Sequence, residues 1–166
     1  MRQLWAPWRM AYIDGEKRDE GCVFCIKAKQ AQDEENLVLY RGTRCFVIMN
    51  LYPYNNGHLM VVPQRHIRDL ASTTAEERAE LMALARMAEI ALQEAYDPHG
   101  INAGINLGRP AGAGVLNHLH IHVVPRWNGD TSFMSVVGNT RVLPEDLSHT
   151  AGRLRPIFER LSKDNA

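Results

Sequence analysis

Residues 118–124 read His-Leu-His-Ile-His-Val-Val, and no other stretch restricts the fold of this chain as much. Successive side chains of a strand point to opposite faces, so His118, His120 and His122 share one face and Leu119, Ile121 and Val123 the other. The apolar face must meet a core, which places the run in a sheet covered on at least one side. A solvated strand face would more naturally carry Thr, Lys, Glu or Ser than an imidazole in every polar slot. Clustered imidazoles suit metal ligation, or proton and group transfer near neutral pH. Same-face neighbours lie about 7 Å apart at Cα, so three ligands on one metal from this strand alone would be strained. A division of roles among the three is expected.

The remaining sequence supplies elements for such a sheet. Leu37–Tyr40 and Cys45–Met49 are rich in β-branched and aromatic residues and predict strands. Leu51–Gly57, punctuated by Pro, Asn and Gly, predicts a loop, with His58–Val62 resuming an antiparallel strand. Thr73 or Thr74, with Glu76 or Glu77, forms a capping box ahead of a helix with Leu81, Leu84, Ala85, Ala88, Leu92 and Ala95 on its buried face. That helix should stop near Asp97–Gly100, where Pro cannot continue it and Gly suits its end. Ile101–Leu107 reads as a further strand and Gly108–Gly114 as a glycine-rich loop, while a weaker helix is expected around Ala151–Leu161, with Pro156 limiting its regularity. This order predicts an α+β domain, an antiparallel sheet with a long helix packed on it and helices on one side.

At 166 residues the chain fits a single domain, 1–166, opening with an arm over residues 1–20 that is first aromatic and then charged. Nineteen basic and nineteen acidic residues cancel, so no global field draws in nucleic acid or an acidic membrane, and neither is expected as a partner. No apolar run reaches the ~20 residues of a membrane span, and Met1–Trp8 lacks the apolar core of a signal peptide. Three cysteines do not make a disulfide framework, so a cytoplasmic protein with reduced thiols is expected.

Cys22-x-x-Cys25 alone fits a redox pair, an incidental pair or half a zinc site. A thioredoxin-like setting would need a βαβ context that is missing, and zinc would need two further ligands. Cys45, in an apolar strand, reads as a small core residue. Gly108, Gly112 and Gly114 would let backbone amides approach phosphate oxygens, but the loop lacks the Gly-Lys-Ser/Thr ending of a P-loop.

The run HLHIHVV resembles the signature of the histidine triad (HIT) superfamily, three histidines separated by apolar residues. Asn50–Ile67 is similar to the family's nucleoside-side strand and loop, and Asn106–Gly114 to its phosphate-contacting loop, so the likeness spans roughly residues 20–127 and leaves 128–166 as a C-terminal extension. The resemblance implies a HIT-like fold whose sheet extends across a homodimer, and nucleotide substrates. It makes His120 the nucleophile that forms a covalent nucleotidyl-histidine, and His122 the residue that hydrogen-bonds phosphate or orients the departing group. His58 lies close to the phosphates in this picture, Asn50 serves the ribose, and Asn106, Gly112 and Gly114 belong to the binding loop. Gly114 stands where many relatives carry Gln, a departure that bears on leaving-group selectivity. The nucleophile needs a lone pair on one ring nitrogen while the other donates a hydrogen bond, expected to reach a backbone carbonyl.

Zinc-containing members of the family imply the ligand set Cys22, Cys25, His66 and His118, a closed tetrahedral site that uses one of the three imidazoles structurally. Leu4–Ile13 and His122–Asp130 resemble the bacterial diadenosine tetraphosphate phosphorylases of the superfamily. That likeness implies a dinucleoside polyphosphate substrate, inorganic phosphate as acceptor, and ADP and ATP as products. Trp5 and Trp8 then read as core or dimer packing, Trp127 as a border of the polyphosphate channel, and Arg126 either neutralises phosphate or is solvated. His99 and His149 are expected to face solvent. The alternatives are a HIT hydrolase of nucleoside phosphoramidates or dinucleoside polyphosphates, and a nucleotide-binding regulatory dimer.

Overall fold

The computed structural model describes residues 21–131 and 145–164. The N-terminal arm, with Trp5, Trp8 and the Leu4–Ile13 stretch, lies outside the described residues. Five strands, β1 (Val38–Arg41), β2 (Cys45–Met49), β3 (Leu59–Pro63), β4 (Gly100–Ile105) and β5 (Ile121–Arg126), form one antiparallel sheet in the order β1-β2-β3-β5-β4. Among the described residues three α-helices accompany it, α1 (Val23–Lys29), α2 (Ala75–Tyr96) and α3 (Leu147–Asp164). The α+β class and the long packed helix are as expected. Among the described residues no helix is long and apolar enough to cross a membrane.

The sheet is covered unequally. On its back, Cys45, Val47, Met49, Leu59, Val61, Ile121 and Val123 meet Leu81, Leu84, Ala88 and Leu92 of α2 and Leu154 and Phe158 of α3. On its front, Phe46, Ile48, Met60 and Val62 meet Phe24 of α1. Helices therefore lie on both faces, which corrects the expectation of helices on one side. The reason is visible in β2 and β3, where every residue is buried and apolar side chains run without the alternation of a half-exposed strand. The cover on the front stops at β3. Beyond it, Asn102 and Gly104 of β4 are exposed and border a cavity of about 340 Å³. The histidine run lies along the boundary between the covered and open halves.

The ladder of β5 begins only at Ile121, so His118–His120 precede the strand that was expected to contain them. The alternation nevertheless survives: Leu119 joins the back core, and its N–H donates to Ile67 O at 2.6 Å. Of the possible capping pairs the chain uses Thr74 and Glu77: the Thr74 hydroxyl accepts from Glu77 N, and the Glu77 carboxylate accepts from Thr74 N at 2.8 Å. Glu77 also takes both arms of Arg65, at 2.9 and 2.8 Å, joining the start of α2 to the segment after β3.

The left-handed residue that ends α2 is Asp97 (φ 43°), whereas Gly100 opens β4. Asp tolerates that region better than most residues, and Gln93 Nε2 donates to its side chain at 3.1 Å. Helix α3 starts four residues earlier than expected and runs through Pro156, because Thr150, Ala151, Leu154, Phe158 and Leu161 are buried along one face. Tertiary packing of that face outweighs the lost backbone hydrogen bond. Gly57 has φ +74°, and a Cβ there would sit 2.9 Å from Leu92 Cδ2, so the approach to His58 requires glycine.

Candidate active site

A directional chain of hydrogen bonds sets the protons on the histidines. The Tyr54 backbone N–H donates to His58 Nδ1 at 3.0 Å, so that nitrogen carries a lone pair and Nε2 carries the hydrogen. His58 Nε2–H then donates to His122 Nδ1 at 2.9 Å, which leaves the His122 proton on Nε2. His120 has the opposite arrangement. Its Nδ1–H donates to the backbone oxygen of His118 at 2.9 Å, and its Nε2 keeps the lone pair. The carbonyl required by the sequence argument is thus that of His118. The rings of His120 and His122 are 4.7 Å apart between centroids, placing an electron-pair donor beside a proton donor.

Burial keeps both rings neutral. His120 is pushed below the ordinary imidazole value by desolvation, partly offset by its bond to the His118 carbonyl. His122 is pushed down to about 4 by desolvation and by the neighbouring His120. A neutral imidazole can attack; a protonated one cannot. Tyr54 packs its ring 4.5 Å from His58 and 5.8 Å from His122, closing the pair from above.

His118 faces a second cluster. Its Nε2–H donates to Pro63 O at 2.8 Å, so Nδ1 presents a lone pair toward Cys22 Sγ at 3.2 Å and Cys25 Sγ at 3.6 Å. His66 Nδ1 lies 3.2 Å from Cys25 Sγ, and the four ligand atoms all fall within 4.8 Å of one another. A tetrahedral zinc with bonds near 2.0–2.3 Å needs ligand–ligand edges of about 3.3–3.8 Å; the three sulfur–nitrogen separations of 3.2, 3.2 and 3.6 Å lie close to these edges, and the residues fit the metal in number and chemistry. Phe24, between the two cysteines in sequence, packs at 5.4 Å from the His118 ring and 5.3 Å from the His120 ring. The cluster and the His120 imidazole thus share a wall.

The other residues singled out in the sequence divide as follows. Asn50 Oδ1 accepts from Tyr52 N at 2.9 Å, and its Nδ2 lies 3.3 Å from His58 Nδ1. Asn106 lines the cavity together with His122. Gly112 (φ 91°) closes a turn over Arg109–Ala111, Gly114 is exposed, and Val115 packs on the front cluster and brings the loop's end back to the sheet. Trp127 sets its ring edge-on to Tyr96 at 6.3 Å and gives its backbone N–H to Asp130. Cys45 is fully buried, and desolvation pushes its thiol up to about 12, as suits an inert core residue. His99 and His149 are exposed. Sequence reasoning did not single out Tyr54, Asn55, Asn102 or Asp130, all of which line the cavity. Only the asparagine-rich composition of these stretches hinted at them.

The HIT domain family matches residues 31–129 of the chain. Over 167 aligned residues the chain is 43% identical to an AP-4-A phosphorylase of Mycobacterium tuberculosis, covering 96% of this chain and 86% of that protein. It is 30% identical over 120 residues to a bis(5'-adenosyl)-triphosphatase of Dictyostelium discoideum, covering 69% of this chain and 80% of that protein. Among solved structures it is similar to a Zn-bound histidine triad family protein of Mycobacterium smegmatis, with a TM-score of 0.69 and 31% identity over 87% of this chain and 97% of that one.

Proposed function

The chain belongs to the HIT domain family, and on that premise we propose that it cleaves dinucleoside polyphosphates, diadenosine tetraphosphate foremost, at the α-phosphate. In this reading inorganic phosphate is the acceptor, and ADP and ATP are the products. The observation that carries it is the pairing of opposite tautomers, a lone pair on His120 Nε2 beside a proton on His122 Nε2. His120 attacks the α-phosphorus, ATP departs, and a covalent nucleotidyl-histidine remains. Phosphate then attacks the same phosphorus and releases ADP. His122 donates a hydrogen bond to the oxygens that gain charge, and His58 holds it in the donating tautomer. Asn50 serves the ribose side, Asn106 and the Gly112–Gly114 turn serve the phosphates, and Trp127 borders their channel.

Cys22, Cys25, His66 and His118 would hold a zinc ion, which would supply a structural cross-link with no coordination position left for substrate. Residues 20–127 act as the family core, with 1–20 as a docked arm and 128–166 as an extension, in a cytoplasmic protein. The exposed edge strand β4 pairs with a second copy to give a homodimer, which would remove the unpaired edge. The relative named as a triphosphatase supports a second reading, with water as acceptor.

Incubation with diadenosine tetraphosphate, with and without phosphate, separates the readings. Phosphate-dependent ADP and ATP support phosphorolysis; AMP and ATP at every phosphate concentration mean hydrolysis; binding without products removes the enzyme. His120→Ala should abolish turnover and retain nucleotide binding, and wild-type turnover in that variant would overturn the nucleophile.

A further inference from the structure

The cavity beside His122 has a wall whose members come from four segments. Arg126 donates from Nε and one terminal nitrogen to the two oxygens of Asp130, at 2.6 and 2.8 Å, and from the other terminal nitrogen to Asn102 Oδ1 at 2.7 Å. Asp130 is fixed in turn by Asn55 Nδ2 at 2.8 Å and the Trp127 N–H at 3.2 Å. Asn55 is itself anchored to Pro125 O at 3.0 Å. A guanidinium carries five N–H groups, so each terminal nitrogen of Arg126 retains one for a ligand. The same contact orients the Asn102 amide with its oxygen toward the guanidinium, which leaves its NH2 group as a donor. The Asp130 charge is already matched by Arg126, so the wall presents fixed donors rather than net charge. Such donors suit a phosphate oxyanion.

We propose that this wall is the acceptor subsite: Arg126 and Asn102 hold the inorganic phosphate that attacks the nucleotidyl group on His120. The inference rests on the phosphorolytic reading above and names the residues that decide between phosphate and water. Displacement at phosphorus places the attacking and leaving groups in line. Both the departing polyphosphate and the incoming acceptor must therefore lie on the side of the phosphorus away from His120 Nε2. Along β5 the front-face residues after His120 are His122, Val124 and Arg126, spaced by about 7 Å, and all three line the cavity. One space thus serves the departing group and then the acceptor. In the second step an anionic phosphate oxygen bonds to the α-phosphorus and the P–Nε2 bond breaks. Its electron pair returns to His120, and ADP leaves with no proton to remove; water would have to lose one. Asp130 and Asn55 are positioning residues that act through Arg126.

With diadenosine tetraphosphate as substrate, the ADP to AMP ratio across a phosphate titration reads the acceptor choice whatever fraction of a variant is folded. Arg126→Gln and Asn102→Ala should each raise the phosphate concentration that gives equal ADP and AMP at least tenfold. Asp130→Asn, which loosens Arg126 without removing it, should raise it by a smaller factor. Wild-type ratios in both Arg126→Gln and Asn102→Ala would overturn the subsite and leave phosphorolysis standing. Absence of ADP from the wild-type protein at every phosphate concentration would remove phosphorolysis, and the subsite with it.

Discussion

Acidification from pH 7 to 5 should cost the fold about 2 kcal/mol through His122 alone. Burial and the adjacent His120 ring hold folded His122 at about 4, whereas an unfolded histidine titrates near 6.5. Between these values the unfolded chain binds a proton that the folded one refuses, so stability falls as pH falls. The contribution is whole above about 6.5, fades through the window, and is gone below about 4. The strongly shifted carboxylates do not share that window. Arg65 holds Glu77 down to about 2, and Arg126 holds Asp130 well below the usual carboxylate range. Urea denaturation of wild type and His122→Asn at both pH values isolates the effect, since the Asn oxygen can still accept from His58. His118 and His120 titrate in both proteins and cancel to first order. With a slope of about 2 kcal/mol per molar urea, the wild-type midpoint should drop about 1 M more than that of the variant. Equal drops would refute the reasoning.

Two further outcomes follow from the metal cluster and from the backbone. Reduced wild-type protein should carry zinc by elemental assay, chelation should lower its melting temperature, and Cys25→Ser should abolish both responses; metal-free wild type with intact thiols would count against the site. Gly57→Ala should cost on the order of 2 kcal/mol in urea denaturation, because φ +74° strains any Cβ and Leu92 stands 2.9 Å away, and an unchanged midpoint would contradict that geometry.

Local signals in the sequence carried over well. The alternation at 118–124 separates core from site even where no ladder forms, because it is the extended backbone, not the hydrogen-bonded sheet, that turns side chains to opposite faces. The Thr74–Glu77 box likewise needs only a three-residue spacing. Legibility ends where partners are distant. Asn55 and Asp130 are 75 residues apart, and nothing in either stretch names the other. The placement of helix α1 on the front depends on the two-sided burial of β2 and β3, which no local signal in its own seven residues encodes. Pro156 misled because propensity was weighed without the face that α3 buries. The clustering of Cys22, Cys25, His66 and His118 came from family likeness, since spacing alone left the cysteine pair ambiguous.

Gly104 stands opposite His122 in the ladder, and a side chain there would meet nothing within 4 Å. The floor of the cavity is therefore set by a missing group, on backbone that any residue could adopt. Ala, Ser and Val at this one position form a graded series of depths, each filling more of the space while leaving the imidazoles and their hydrogen bonds in place. The size of the group admitted beside His122 becomes a dial with a single setting screw, separate from the machinery that makes and breaks the bond.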